Sequence, residues 1–256
     1  MQNQQLFFKI LVALSVLIVM AVFLFVNPIA QDLSYHNFAD KREIWAISNF
    51  WNVLSNLPYF VVGLWALYKL QIKKSLMLLS EMNLAYIFLF VGVTLVSFGS
   101  GYYHLDPNNE TLVWDRLPMT IAFMALFSVI LSEFVALKLG KKLLLPLLVL
   151  GFASVLYWHI TELNGHGDLR YYALVQFLPM LIIPLLLLAF SSSYSHIKGY
   201  WLLLLCYLLA KVFEHFDAEI YELLGVISGH SLKHMISALG LYFLLSSFEK
   251  RVELGK

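Results

Sequence analysis

The segment FGSGYYHLDPNNETLVWDRLPMT, residues 98–120, places polar side chains at the junction of two strongly apolar stretches. They are a serine, a histidine and an aspartate: Ser100, His104 and Asp115. Polar and ionisable side chains are costly inside a bilayer, and those that occur there tend to be functional. This segment therefore determines where two helices are connected, and it predicts a functional site at that connection.

The composition indicates an integral membrane protein. Hydrophobic residues make up 61% of the 256-residue chain and charged residues 13%, whereas soluble domains have roughly 45–50% and 25%. The net charge of +1 gives no sign of nucleic-acid binding. The single cysteine, Cys206, excludes an internal disulfide and a cysteine-based metal site.

Eight apolar stretches approach the ~20 residues that a membrane-spanning helix needs. They predict an all-α, multi-pass membrane protein with no soluble domain in its loops. We interpret the first stretch as a retained helix, with a cleaved signal peptide as the alternative. The stretches are residues 7–27, 46–69, 84–104, 117–137, 143–161, 172–190, 199–213 and 230–248.

The lysines and arginines of the short loops predict the orientation in the membrane. The loops after the second, fourth and sixth stretches, with the C-terminal tail, carry most of the lysines, and the other loops carry most of the acidic residues. Both termini are therefore expected in the cytoplasm. His104, Asp115, His230 and His234 are then expected at one depth near the outer face, because they lie at ends of stretches that share this side.

The histidines have the spacing of a metal site. His230 and His234, in SGHSLKHMISALG, are four residues apart, which places both imidazoles on one helical face, as in other helical zinc motifs. With His104 they predict three nitrogen ligands for zinc and a fourth position for water. Asp115 is the candidate to accept a proton from that water. Ser100 is the candidate to hold the water or to donate to an oxyanion.

Structural interpretations of the same residues stay open from the sequence. His104 could be an interfacial residue, Asp115 could cap a helix that begins at RLPMT, and Ser100 could ease helix packing. Other polar residues at outer ends could line a cavity or form solvated loop edges; they are His159, Glu162, Glu214, His215 and Asp217.

Three features resemble the alkaline ceramidase family: the motif SGYYH, an aspartate eleven residues after its histidine, and the motif HSLKH. That family belongs to the CREST group of membrane hydrolases, to which the adiponectin-receptor-like proteins are also related. FWNVLSNLPYFVVG, residues 50–63, resembles the first core helix of the family. VWDRLPMTIAFMALF and SGHSLKHMISALG look closest to bacterial members. The resemblance covers residues 49–248 or thereabouts.

The resemblance implies a seven-transmembrane helix bundle with buried zinc, preceded here by one additional N-terminal transmembrane helix. Residues 1–30 would form that helix, and residues 31–256 the hydrolase domain. The implied activity is hydrolysis of the amide bond of an N-acylated lipid such as ceramide, with zinc-bound water as the nucleophile and a fatty acid as product. His104, His230 and His234 match the zinc ligands, and Asp115 and Ser100 match the catalytic carboxylate and hydroxyl. No obligate protein partner is implied beyond the lipid substrate and membrane lipids. The expected location is a bacterial inner membrane, with the active site toward the outer face.

One departure concerns calcium. Eukaryotic members of the family have a calcium site that includes a glutamate just before the Phe-Trp-Asn motif, and Asn49 occupies that position here. Asp40 and Glu43 precede it at a spacing that could serve, but the substitution puts calcium in doubt.

A receptor or a transporter that keeps a three-histidine zinc site with little or no turnover is the alternative function. Proton and ion pathways also use intramembrane histidine and aspartate. A transporter, however, is expected to place polar groups near the bilayer midplane between broken helices. The inner halves of the stretches look almost wholly apolar, which favours the hydrolase.

Overall fold

The computed structural model describes residues 2–254, and this part of the chain folds into helices and connecting turns, as the sequence predicted. Short 3₁₀ or π segments extend or connect several helices. The α-helices are α1 (Gln2–Phe25), α2 (Phe50–Leu54), α3 (Leu57–Tyr68), α4 (Asn83–Leu105), α5 (Asn109–Ile130), α6 (Leu137–Leu163), α7 (Arg170–Ala189), α8 (Lys198–His215), α9 (Asp217–Leu224) and α10 (Gly229–Lys250).

Among the described residues, six helical segments are long and apolar enough to cross a membrane. The α8 and α9 helices, bent by 79° between them, form a seventh candidate if they count as one span. These helices indicate a multi-pass membrane protein. The 22-residue α10 does not meet the same criterion. The six segments are Gln2–Phe25, Phe50–Lys73, Ser80–Leu105, Asn109–Val135, Leu137–Leu163 and Arg170–Ala189.

Helix α5 begins well before residue 117, where the apolar stretch begins. The Asn108 side chain accepts hydrogen bonds from the backbone N–H groups of Glu110 and Thr111, and the Thr111 hydroxyl accepts one from the Asn108 N–H. This capping box starts the helix at Asn109 because it satisfies N–H groups that have no partner within the helix. Asp115 consequently lies in the second turn of α5, and its interpretation as a helix cap is wrong.

Helices α4 and α5 pack closely at the centre of the bundle. A Cβ added to Gly92 of α4 would lie 2.8 Å from the backbone nitrogen of Ala122 on α5, so the two backbones approach too closely for a larger residue. Helix α10 packs against α8 and α3. By contrast, α1 lies at the periphery against α7, and Leu11 is its buried residue.

A buried ionic cluster lies at the end of the bundle that is opposite His104. The Glu133 carboxylate accepts hydrogen bonds from Ser192 Oγ at 2.7 Å, Tyr200 OH at 2.9 Å and Arg251 Nη1 at 2.8 Å. The Glu133 and Arg251 side chains are 0% and 1% exposed. The sequence-based view that the inner halves are almost wholly apolar is therefore wrong, because residues far apart in the chain form an ion pair there.

The segment that follows α1, residues 26–49, is fixed to the start of α7. Leu169 N–H donates to the Ile29 carbonyl, and Arg170 Nη1 donates to the Val26 carbonyl at 2.7 Å. Arg170 also forms an ion pair with Asp168. Hydrogen bonds from the Arg170 side chain hold the pKa of Asp168 below its usual value, so this connection is strongest when Asp168 is ionised.

Arg251→Met should destabilise the fold by about 3–5 kcal/mol, because it leaves the Glu133 carboxylate buried without its cation. Thermal or denaturant unfolding in detergent measures this loss. The neighbouring Lys250→Met removes an exposed charge and is the matched control, with little expected effect. Equal stability of the two variants would contradict a structural role for this ion pair.

Candidate metal centre

Three histidines from two distant parts of the chain converge at one buried point. His104 is in the last turn of α4, and His230 and His234 are in the first two turns of α10. They are 1%, 5% and 5% exposed. Each offers one ligand atom, and these atoms lie within 4.8 Å of one another. The predicted convergence of the three imidazoles is therefore present in the structure.

The contacts of Ser55 match one tautomer of His234. Ser55 Oγ lies 3.1 Å from the Asn52 carbonyl and 2.8 Å from His234 Nδ1. When the Ser55 proton goes to the carbonyl, its oxygen accepts from His234 Nδ1–H, and the Nε2 lone pair is free for a ligand. Ser55 was missed by the sequence analysis, although it lies within the resembling segment 50–63.

Two asparagines near α2 connect the helices that carry the histidines. Asn49, in a left-handed conformation with φ of 48°, donates from Nδ2 to the His104 carbonyl at 2.9 Å. Asn52 is fully buried, and its Oδ1 accepts a hydrogen bond from Ser231 Oγ at 2.7 Å. The start of this short helix thus holds the end of α4 and the start of α10 in place. The density of asparagines in an otherwise apolar segment was the signal available in the sequence.

The segment of residues 26–49 covers the histidines. The ring of Phe38, which is 4% exposed, lies 4.6 Å from the His104 ring and 4.4 Å from the His230 ring. Asp217 accepts from Ala39 N–H at 2.9 Å and from His230 N–H at 2.6 Å. Asp217 is therefore not a solvated loop edge, since it connects this cover to the start of α10.

Asp115 and Ser100 line a cavity of about 340 Å³ next to the histidines. His234 lines the same cavity, and the side chains of Ser100 and Asp115 interact with each other. Most of the remaining wall is apolar and comes from α4, α5, α7, α8 and α10; it includes Leu89, Val93, Phe123, Met180, Leu203 and Leu241. The arrangement places a hydroxyl and a carboxylate at the polar end of an apolar chamber.

The other polar residues at the histidine end of the bundle have different surroundings. Glu214 lines the cavity and bridges two lysines, with Lys211 Nζ at 2.5 Å and Lys233 Nζ at 2.8 Å. Glu162 lies outside it and accepts hydrogen bonds from Gln31 N–H and Trp158 Nε1. His159 borders a separate surface depression, and His215 ends α8 against Phe216.

The donor set fits zinc. His104 Nδ1 and His230 Nε2 are buried without a hydrogen-bond partner, and such atoms are costly unless something binds them. Three neutral imidazoles are a common ligand set for catalytic zinc. Within residues 2–254, these three histidines are the one group of three or more potential metal ligands whose ligand atoms come together. Asp40, a candidate calcium ligand in the sequence, is already paired, because both of its carboxylate oxygens accept hydrogen bonds from Arg42.

Comparison with known proteins gives one match. A family model described as Ceramidase matches residues 43–250. No curated protein and no solved structure matches the chain. The matched region contains the three histidines, Ser100 and Asp115, and it excludes α1.

Ser55→Ala should lower zinc affinity by about 10–100-fold, because it removes the group that fixes the His234 tautomer. Competition with a zinc chelator measures the affinity. Ser154→Ala, which removes another buried hydroxyl that bonds to a helical carbonyl on α6, is the matched control and should keep wild-type affinity. His230→Ala should lose most of the metal. Wild-type affinity in Ser55→Ala would contradict the assigned tautomer.

Proposed function

This chain belongs to the ceramidase family, and we propose that it is a zinc-dependent hydrolase of the amide bond in an N-acylated lipid such as ceramide. The observation that carries the proposal is that Asp115, Ser100 and His234 line the polar end of an apolar cavity, with His234 belonging to the histidine cluster. A fatty acyl chain fits such a wall, and the amide would lie against the polar residues.

The proposed metal ligands are His104, His230 and His234, with Ser55 holding His234 in the ligating tautomer. A zinc ion held there would supply Lewis acidity toward the amide carbonyl and an acidified water for attack. The chain itself contributes the burial of the cluster. Phe38 and the asparagines near α2 keep the imidazoles close together and away from bulk solvent.

Asp115 is the proposed proton acceptor. As the water oxygen adds to the amide carbon, one water proton passes to the Asp115 carboxylate. The C–N bond then breaks while this proton passes to the leaving nitrogen, which gives a fatty acid and an amine. Ser100 interacts with the Asp115 carboxyl group and is proposed to orient it toward the water.

The charge distribution and the packing support a specific arrangement in the membrane. Helices α2–α10 form the proposed seven-helix hydrolase domain, residues 31–256, with α8 and α9 together as one span. The peripheral α1, in residues 1–30, is the additional transmembrane helix. We propose that both termini lie in the cytoplasm and the histidines toward the outer face of a bacterial inner membrane, and the lysine-rich loops support this orientation. Labels at Asn109 should react from outside the cell; reaction only after permeabilisation would contradict this orientation.

Asp115→Asn should retain zinc and the fold but lose amide hydrolysis by about 10²–10⁴-fold, because a general base is removed while the size of the side chain is kept. Ser100→Ala should lose about 10–10³-fold, as expected for a group that assists with one hydrogen bond. Released fatty acid, measured by mass spectrometry with purified zinc-loaded protein, gives the rates.

Glu110→Gln, which changes an exposed carboxylate in the first turn of the same helix, is the matched control and should keep wild-type rates. Near wild-type turnover in Asp115→Asn would refute the assigned mechanism. Loss of zinc in Asp115→Asn, with zinc retained in His104→Ala, would instead make Asp115 a ligand.

A further inference from the structure

Arg116 is a buried cation without an anionic partner. It follows Asp115 on α5, lines the same cavity and is 6% exposed. Among the described residues, no carboxylate forms an ion pair with its guanidinium. Its Nη2 donates to Gln31 Oε1 at 2.6 Å, and its Nη1 is buried with no hydrogen-bond partner.

Aromatic rings hold this guanidinium in place. Its central carbon lies 4.1 Å from the Trp158 ring centre, 4.6 Å from that of Tyr172 and 5.9 Å from that of Tyr35. Cation–π contacts compensate part of the cost of burying the charge. They do not satisfy the N–H donors, and a buried donor without a partner is itself costly. The side chain is thus positioned in advance for an acceptor that none of residues 2–254 provides.

The other charges of the cavity do not neutralise Arg116. Glu214 already bridges Lys211 and Lys233. The cavity therefore contains three cationic side chains and two carboxylates, Asp115 and Glu214. Lys233 is not the free cation, since its ammonium group lies 2.8 Å from Glu214. The excess positive charge resides at Arg116, beside the carboxylate proposed to act on the amide.

We propose that the lipid substrate carries an anionic group, a carboxylate or a phosphate, close to its amide bond, and that Arg116 binds this group. This inference rests on the proposed amide hydrolysis and narrows its substrate class. A guanidinium recognises either oxyanion through two parallel N–H donors. Neutral N-acyl lipids, ceramide among them, would leave the Arg116 donors without a partner and would therefore be poorer substrates than N-acyl lipids with an acidic group.

Matched lipids with the same acyl chain test the proposal and distinguish the two anions. N-palmitoylglycine carries a carboxylate, N-palmitoylethanolamine phosphate carries a phosphate, and N-palmitoylethanolamine is neutral. At least one acidic lipid should exceed the neutral lipid in kcat/KM by about 10–100-fold, the range for hydrogen bonds to a charged group. Arg116→Gln should abolish this preference mainly through KM, and Arg116→Lys should restore part of it.

Arg170→Gln is the matched control, because Arg170 is paired with Asp168 and does not line the cavity; its preference should equal that of wild type. An equal loss of kcat/KM on all three lipids in Arg116→Gln would make Arg116 structural and overturn the proposal. So would a wild-type enzyme that prefers the neutral lipid.

Absence of hydrolysis of every amide would refute the proposed function without deciding the role of Arg116. Thermal stabilisation of the protein in detergent then provides the binding measurement. N-palmitoylglycine or N-palmitoylethanolamine phosphate should raise the melting temperature more than N-palmitoylethanolamine does. Arg116→Gln should remove this difference. Equal shifts for acidic and neutral lipids would overturn the inference.

Discussion

The convergence of three imidazoles inside an apolar bundle is the constraint on which the rest of the structure depends. Their ring centres lie 4.9–5.0 Å apart, and two of the rings have buried nitrogens without partners. Such a cluster is unfavourable unless its other hydrogen bonds are fixed and a ligand takes the free lone pairs. The buried polar residues near α2, the Phe38 cover and the Asp217 connection all hold the ends of α4 and α10 where those lone pairs meet.

The two ends of the bundle are stabilised in different ways, and this difference bears on function. At the end opposite the histidines, the Glu133 carboxylate accepts hydrogen bonds from Ser192, Tyr200 and Arg251, so the ion pair forms a closed structural unit. At the histidine end, His104 Nδ1, His230 Nε2 and Arg116 Nη1 lack partners. Polar groups that remain unsatisfied next to a cavity are the places where ligands gain most from binding. This contrast favours the histidine end as the proposed site on grounds that are independent of any family.

The sequence predicted those parts of the site that follow from helix geometry. The spacing of His230 and His234 and the shared membrane side of His104 required only span counting and helical periodicity. The start of α5 was predicted too late, because hydropathy begins at Leu117 whereas the Asn108–Thr111 capping box begins the helix earlier. Ser55, the Glu133–Arg251 pair and the cavity position of Arg116 depend on contacts between residues far apart in the chain, which no local pattern specifies.

The central claim is that the three histidines hold zinc, and X-ray absorption spectroscopy at the zinc edge tests it most directly. Zinc-loaded protein should show nitrogen or oxygen neighbours at about 2.0–2.1 Å. The outer-shell scattering of three imidazoles should accompany these neighbours. In His104→Ala protein reloaded with excess zinc, it should fall to the scattering of two imidazoles. A spectrum without imidazole scattering, or one unchanged by His104→Ala, would contradict the account.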